Sequence, residues 1–118
     1  MKVCIVGSGL TSLCLAKILV NMGINVHFFS NLNSKKIDRS RTLSISNDNI
    51  DFFNSNITNI DKLLWKINKI EIFSDNLKDE KILNFGDNKN KLFSIVKNYQ
   101  LFNQLIKELS KKRLFKLK

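Results

Sequence analysis

Proline is absent from the 118 residues, where an average composition would supply about six. No proline-rich linker divides the chain, and it reads as one domain, residues 1–118. Two cysteines are too few for a disulfide scaffold. Cys4 and Cys14 form no C-x-x-C and no zinc-ligand spacing, so no metal site is expected. They read as free, buried core thiols. The single histidine, His27, has no Ser-His-Asp set around it, and no catalytic residue is identified. One Trp and one Tyr give no stacking platform for bases. No apolar run approaches the ~20 residues of a membrane span. The N-terminus does not read as a signal peptide, because Gly7-Ser8-Gly9 breaks the apolar stretch after Lys2 and no A-x-A-like site follows. The expected location is the cytoplasm.

Acidic residues are scarce as well. Ten of them face 20 Lys and Arg, a net charge of +10. Such a balance raises the question of nucleic acid. The cations, however, are mostly lysine, whereas readers of phosphate and base edges often use the arginine fork. Lys, Asn and Ile, all encoded by A/T-rich codons, are used heavily, so the basicity reads as a by-product of base composition. Nucleic acid is therefore not the expected partner. A basic tail, Lys111, Lys112, Arg113, Lys116 and Lys118, offers peripheral contact with an anionic membrane as a secondary reading. Leu114, Phe115 and Leu117 in the same tail fit a truncated strand that awaits partners better.

The apolar share of 43% is that of a folded chain. Residues 2–6 are a short continuous apolar run, which predicts a strand buried on both faces. Residues 10–22 predict a helix, with Leu10, Leu13, Cys14, Ala16, Ile18, Leu19 and Met22 mostly at i, i+3, i+4 spacing and Gly23 as its stop. Residues 24–29 predict a second strand, completing a βαβ unit. Residues 30–41 read as a loop. Ser46 caps a predicted helix over 47–55, with Asp48 and Asp51 as helix-start charges. A helical turn is expected over 60–66, strands over 69–74, 81–85 and 92–96, a turn over 75–79, and a helix from about Asn98 to Lys112.

The sharpest signal is Val3-Cys4-Ile5-Val6-Gly7-Ser8-Gly9-Leu10-Thr11-Ser12. It fits G-x-G-x-x-G/A with Ser12 in the third place. Gly7 allows the tight turn out of the strand, Gly9 lets the backbone approach a pyrophosphate, and a small Ser12 permits close packing of helix on strand. Leu10, Thr11 and Ser12 open the helix, whose free N–H groups and partial positive charge face the phosphates. The acid that usually grips the adenosine ribose at the end of the second strand is replaced by Ser30.

The order of these features resembles the N-terminal part of flavin-dependent aromatic hydroxylases of the p-hydroxybenzoate hydroxylase fold, and most of all the ubiquinone-biosynthesis hydroxylases. Their D-x-R-T-x-A-L-S is similar to Asp38-Arg39-Ser40-Arg41-Thr42-Leu43-Ser44-Ile45-Ser46. Their W…P-I-x-x-I-x-V-x-D is similar to the run from Trp65 to Asp75, with Asn68 where proline is usual. Their V-E-N-R-x-L resembles Val96-Lys97-Asn98-Tyr99-Gln100-Leu101. The resemblance implies an α/β fold with an incomplete Rossmann-like FAD-binding βαβ unit, added helices and a small β-hairpin. It implies FAD as cofactor, with Gly7, Gly9, Leu10, Thr11 and Ser12 at the pyrophosphate, Ser30 at the ribose, Arg41 at the flavin cofactor, and Tyr99 where an arginine near the cofactor is usual.

The resemblance covers nearly all of this chain but only the first part of a family member. The family's second flavin site, a G-D motif followed by proline, has no counterpart, so Gly86-Asp87 reads as a turn. The D-G dipeptide associated with reduced nicotinamide is missing too. In a complete family enzyme NAD(P)H would reduce FAD, and reduced flavin with oxygen would hydroxylate an activated aromatic ring. The expectation here is an FAD-binding fragment that is not a monooxygenase alone and that a second polypeptide would complete. Two parallel strands would leave open edges on both sides, with the next strand still to be supplied. A small NAD-type nucleotide module is the other reading.

Overall fold

The computed structural model describes residues 1–31, 38–75, 81–85 and 93–118. Strand β1 (Lys2–Val6) leads through the glycine turn into helix α1 (Leu10–Asn21), and strand β2 (Asn25–Phe29) lies parallel to β1 with Val3 beside Val26 and Ile5 beside Phe28. Gly23, at φ +79°, turns the chain between α1 and β2, a backbone state that favours glycine. Strand β3 (Thr42–Ile45) follows, then helix α2 (Asn47–Asn56), whose cap Ser46 accepts a hydrogen bond from the Asn49 N–H at 3.4 Å. A single 3₁₀ turn, Asp61–Leu63, precedes strand β4 (Trp65–Ile67). Strands β5 (Ile70–Phe73) and β6 (Lys81–Phe85) form an antiparallel hairpin, and strand β7 (Phe93–Lys97) runs directly into helix α3 (Asn98–Leu109).

The chain then supplies its own third parallel strand. Strand β8 (Phe115–Leu117) pairs with β2, giving the order β1-β2-β8. This corrects the expectation of a two-stranded sheet with its next strand missing. Helix α3 ends at Leu109 rather than near Lys112, and residues 110–114 turn the chain so that the Val26 N–H donates to the Leu114 carbonyl at 2.8 Å. Phe115 is buried beside Phe28, with ring centroids 5.6 Å apart. β2 is paired on both sides, and the open edges of this sheet, among the described residues, are those of β1 and β8.

A second sheet of antiparallel strands, in the order β3-β7-β4, carries α3 on the end of its central strand. Trp65 opens β4 and is largely exposed, so the helical turn expected over 60–66 gives way to strand after Leu63. The main core joins these layers. Leu13, Ala16 and Val20 of α1 and Leu101, Leu105 and Leu109 of α3 meet over Ile5, Val26 and Phe28 of the parallel sheet.

Among the described residues, that sheet is covered on one face only. Its outer face shows Cys4, Val6 and Phe29 to solvent. The reading of 2–6 as a strand buried on both faces is therefore corrected, and so is that of Cys4 as a core thiol. Alternation puts Val3 and Ile5 inward and leaves Cys4 and Val6 on the bare side. Cys14 is half-buried, and burial pushes its thiol up to about 11. The Gly86-Asp87 turn, Leu92, residues 76–79 of the 75–79 turn and residues 32–37 of the 30–41 loop lie outside the described residues.

Candidate functional site: the glycine turn at the head of α1

Val6 ends β1, and the Gly7 N–H donates to the Phe29 carbonyl at 3.1 Å, which carries the β1–β2 ladder into the turn. The chain then reverses into α1. A Cβ on Gly7 would collide with the Ser12 hydroxyl, so the two residues share a space that holds only one side chain. This is the close helix–strand packing expected of positions one and three of the motif.

Gly9 is the N-cap of α1, at φ −100° and ψ 171°, with no side chain to cap the helix. A Cβ built on it meets nothing within 4 Å. The space above Gly9 is thus open, and the uncapped N–H groups of the first turn border it. Leu13 N–H returns to the Gly9 carbonyl at 3.2 Å, which fixes that first turn. Thr11 is exposed; Leu10 and Ser12 are half-buried.

Ser30 follows β2 at the same end of the sheet, and its N–H reaches the Lys118 carbonyl at 3.5 Å. Its Oγ is buried and has no hydrogen-bond partner. A hydroxyl withdrawn from water in this way costs stability until something bonds to it. Nearby, His27 is held below its ordinary value by burial and by Lys2, Lys118 and Lys116.

Arg41 and Tyr99 come together at the junction of β3, β7 and α3. The Asn98 N–H donates to the Arg41 carbonyl at 3.0 Å, one residue before Tyr99. Arg41 is exposed and Tyr99 half-buried. The guanidinium over the Tyr99 ring, at 5.7 Å, is that of Arg39. Sequence reading did not single out Arg39, although it lies in the same Asp38–Ser46 segment. Asp38 is kept below the ordinary aspartate range by hydrogen bonds from the Ser40 hydroxyl and N–H. The same strand and helix reach the glycine-turn helix: Leu10 and Thr11 line a cleft of about 550 Å³ together with Leu43, Ser44 and Leu101. The predicted residues therefore fall into two groups, Gly7–Ser12 with Ser30 and Arg41 with Tyr99; of them only Leu10 and Thr11 line the cleft.

No metal-binding cluster of His, Cys, Asp and Glu occurs among the described residues. No helix among them is long and apolar enough to cross a membrane.

No family model and no curated protein matches the chain. Solved structures do. The p-nitrophenol 4-monooxygenase PnpA from Pseudomonas putida DLL-E4 superposes with a TM-score of 0.78 at 14% identity, over 98% of this chain and 30% of that one. FqzB gives 0.76 at 17% identity, over 99% of this chain and 28% of that one. HpxO from Klebsiella pneumoniae, solved with FAD and uric acid, gives 0.67 at 14% identity, over 99% and 30%. The chain shares its fold with part of these structures, and with part of a 2,6-dihydroxypyridine-3-hydroxylase from Arthrobacter nicotinovorans. At these identities the likeness is one of fold, and the chain spans less than a third of the length of the proteins it matches.

Proposed function

We propose that this chain binds the adenosine diphosphate end of FAD at the turn from Gly7 to Ser12. The observation that carries the reading is the open space over Gly9 at the uncapped start of α1, a cradle that any side chain at residue 9 would fill. The residues present fit the group. The first-turn N–H groups of α1 hold the pyrophosphate, and the buried Ser30 hydroxyl gains its missing partner from the ribose. Without a carboxylate, that ribose contact lacks charge assistance. Arg41 and Tyr99 are assigned to the rest of the cofactor in this reading. Bound FAD supplies redox chemistry; this chain's residues bind it and orient it.

Ring hydroxylation belongs, in this reading, to a longer assembly. A second polypeptide completes the fold, NAD(P)H reduces the flavin, and the substrate is of the ubiquinone-precursor type that the Asp38–Ser46 and Trp65–Asp75 segments suggest. The assembly is cytoplasmic, with peripheral membrane contact through Lys111–Lys118.

Titration with FAD, followed by flavin fluorescence and melting temperature together, tests the reading. Saturable binding with a rise in melting temperature is expected. A folded chain that ignores FAD, or prefers NAD to it, overturns the proposal; the second outcome favours the small nucleotide module.

A further inference from the structure

Helix α1 presents a problem of register. Its sequence, LTSLCLAKILVN, is apolar on almost every side. One stripe, Leu13, Ala16 and Val20, is buried against α3; the neighbouring stripe, Leu10, Cys14 and Ile18, lines the cleft with Leu15 exposed beside it. Apolar contact is non-directional, so two adjacent apolar stripes do not by themselves choose a rotation of the helix. Lys17 is its only charged residue, and it is 5% exposed. Its Nζ lies 2.9 Å from Glu108 Oε2 on α3. Glu108 Oε1 accepts from the Thr58 hydroxyl at 2.7 Å and from Gln104 Nε2 at 3.2 Å. One helical turn further on, Asn21 Nδ2 donates to the carbonyls of Asn56 and Ile57, each at 3.0 Å.

We infer that the Lys17–Glu108 pair is a positioning device that sets the rotation and height of α1, and through α1 the placing of the Gly7–Ser12 turn. A buried charge has one acceptable partner position, where an apolar side chain has many. A helix that turns or slides moves its first-turn N–H groups with it, by up to 5.4 Å for a full turn. Fixing Lys17 therefore fixes the groups that face the phosphates. The inference rests on the proposed cofactor site for its affinity readout only.

The test is the paired substitution Lys17→Met with Glu108→Gln. It removes both charges, keeps the lysine's apolar bulk and keeps an acceptor for Thr58. Replacing a buried ion pair by neutral groups leaves stability near the native value. The expected result is a split: a melting temperature close to wild type, faster amide hydrogen exchange over residues 7–13 in the free protein, and FAD binding weakened by roughly tenfold. A purely structural pair would move stability and turn protection together. An unchanged turn with unchanged FAD affinity in a folded variant would overturn the inference. If wild type ignores FAD, the cofactor reading fails, and hydrogen exchange of the turn still decides the positioning role. Should the paired variant not fold, the reversed pair Lys17→Glu with Glu108→Lys replaces it. Restored protection of the turn supports the inference, and a folded protein with a loose turn overturns it.

Discussion

Gly7 and Ser12 occupy one space. The Ser12 hydroxyl sits where a Cβ on residue 7 would stand, and the Ser12 Cβ is 3.3 Å from that same point. An alanine at residue 7 must therefore push α1 off the end of β1. Gly7→Ala is expected to cost about 1–3 kcal/mol, the range of an overpacked site. Ser12→Ala removes the hydroxyl but leaves the Cβ, so the double variant should recover part of that loss. Urea unfolding of the four proteins in a double-mutant cycle measures the coupling; strict additivity would contradict the shared space.

Gly9 is the opposite case. Its backbone angles suit any residue, and nothing lies within 4 Å of a built Cβ. Gly9→Ala should leave stability within about 0.5 kcal/mol of wild type. FAD affinity should nonetheless fall, because the methyl enters the space that the pyrophosphate needs. Thermal melts and flavin titration of the same sample check both halves of the statement.

Ser30 carries a buried hydroxyl without a partner. Ser30→Ala removes that cost, so the free protein should be as stable as wild type or more stable by up to about 1 kcal/mol. With FAD present the order should reverse, since only serine can bond the ribose. A larger FAD-induced rise in melting temperature for wild type than for the alanine variant is the expected result.

Burial alone would raise the Glu108 carboxyl, but Lys17, Thr58 and Gln104 outweigh it and hold the group below the ordinary glutamate value of 4.5. A depressed folded value means stability that is fully present above 4.5 and is lost as pH falls through the folded value. Glu108→Gln should lack this acid-side component while Asp38, Asp61 and Glu71, also depressed, keep theirs. At neutral pH the same variant leaves buried Lys17 without its charge partner. The expected loss is about 2–3 kcal/mol, less than for a fully enclosed pair, because Glu108 keeps 32% of its side chain in solvent. Denaturation curves between pH 3 and pH 7, a range of roughly four units around the carboxylate values, resolve both effects.

Much of this was legible in the residues. The glycine spacing located the turn, the apolar stretch after it located α1, and Ser46 marked the start of α2 through a local side-chain bond. Such signals act within a few residues and survive in one sequence. The third parallel strand was half legible. Leu114, Phe115 and Leu117 had strand character, but their partner β2 lies some ninety residues earlier, and pairing at that separation leaves no local trace. Cys4 was misplaced for a related reason. Apolar character shows that a residue can be buried; whether a layer covers it depends on other elements. Lys17 was not singled out, although a lone charge in an apolar helix is a signal that asks for a buried partner. Arg39 lies two residues before Arg41, and only the tertiary structure shows which guanidinium meets Tyr99.

The bare edge of β1 sets how the protein behaves in a tube. From Val3 to Val6 the edge strand carries no charge, no proline and no bulge to discourage a neighbouring copy from adding to it. The net charge of +10 on each copy opposes such pairing by long-range repulsion. Salt shortens the reach of that repulsion to about 8 Å at physiological ionic strength and about 3 Å at 1 M. The chain should therefore stay dispersed in dilute buffer and cluster as salt is added, the reverse of the salting-in shown by many proteins, with its shelf life set by ionic strength more than by temperature.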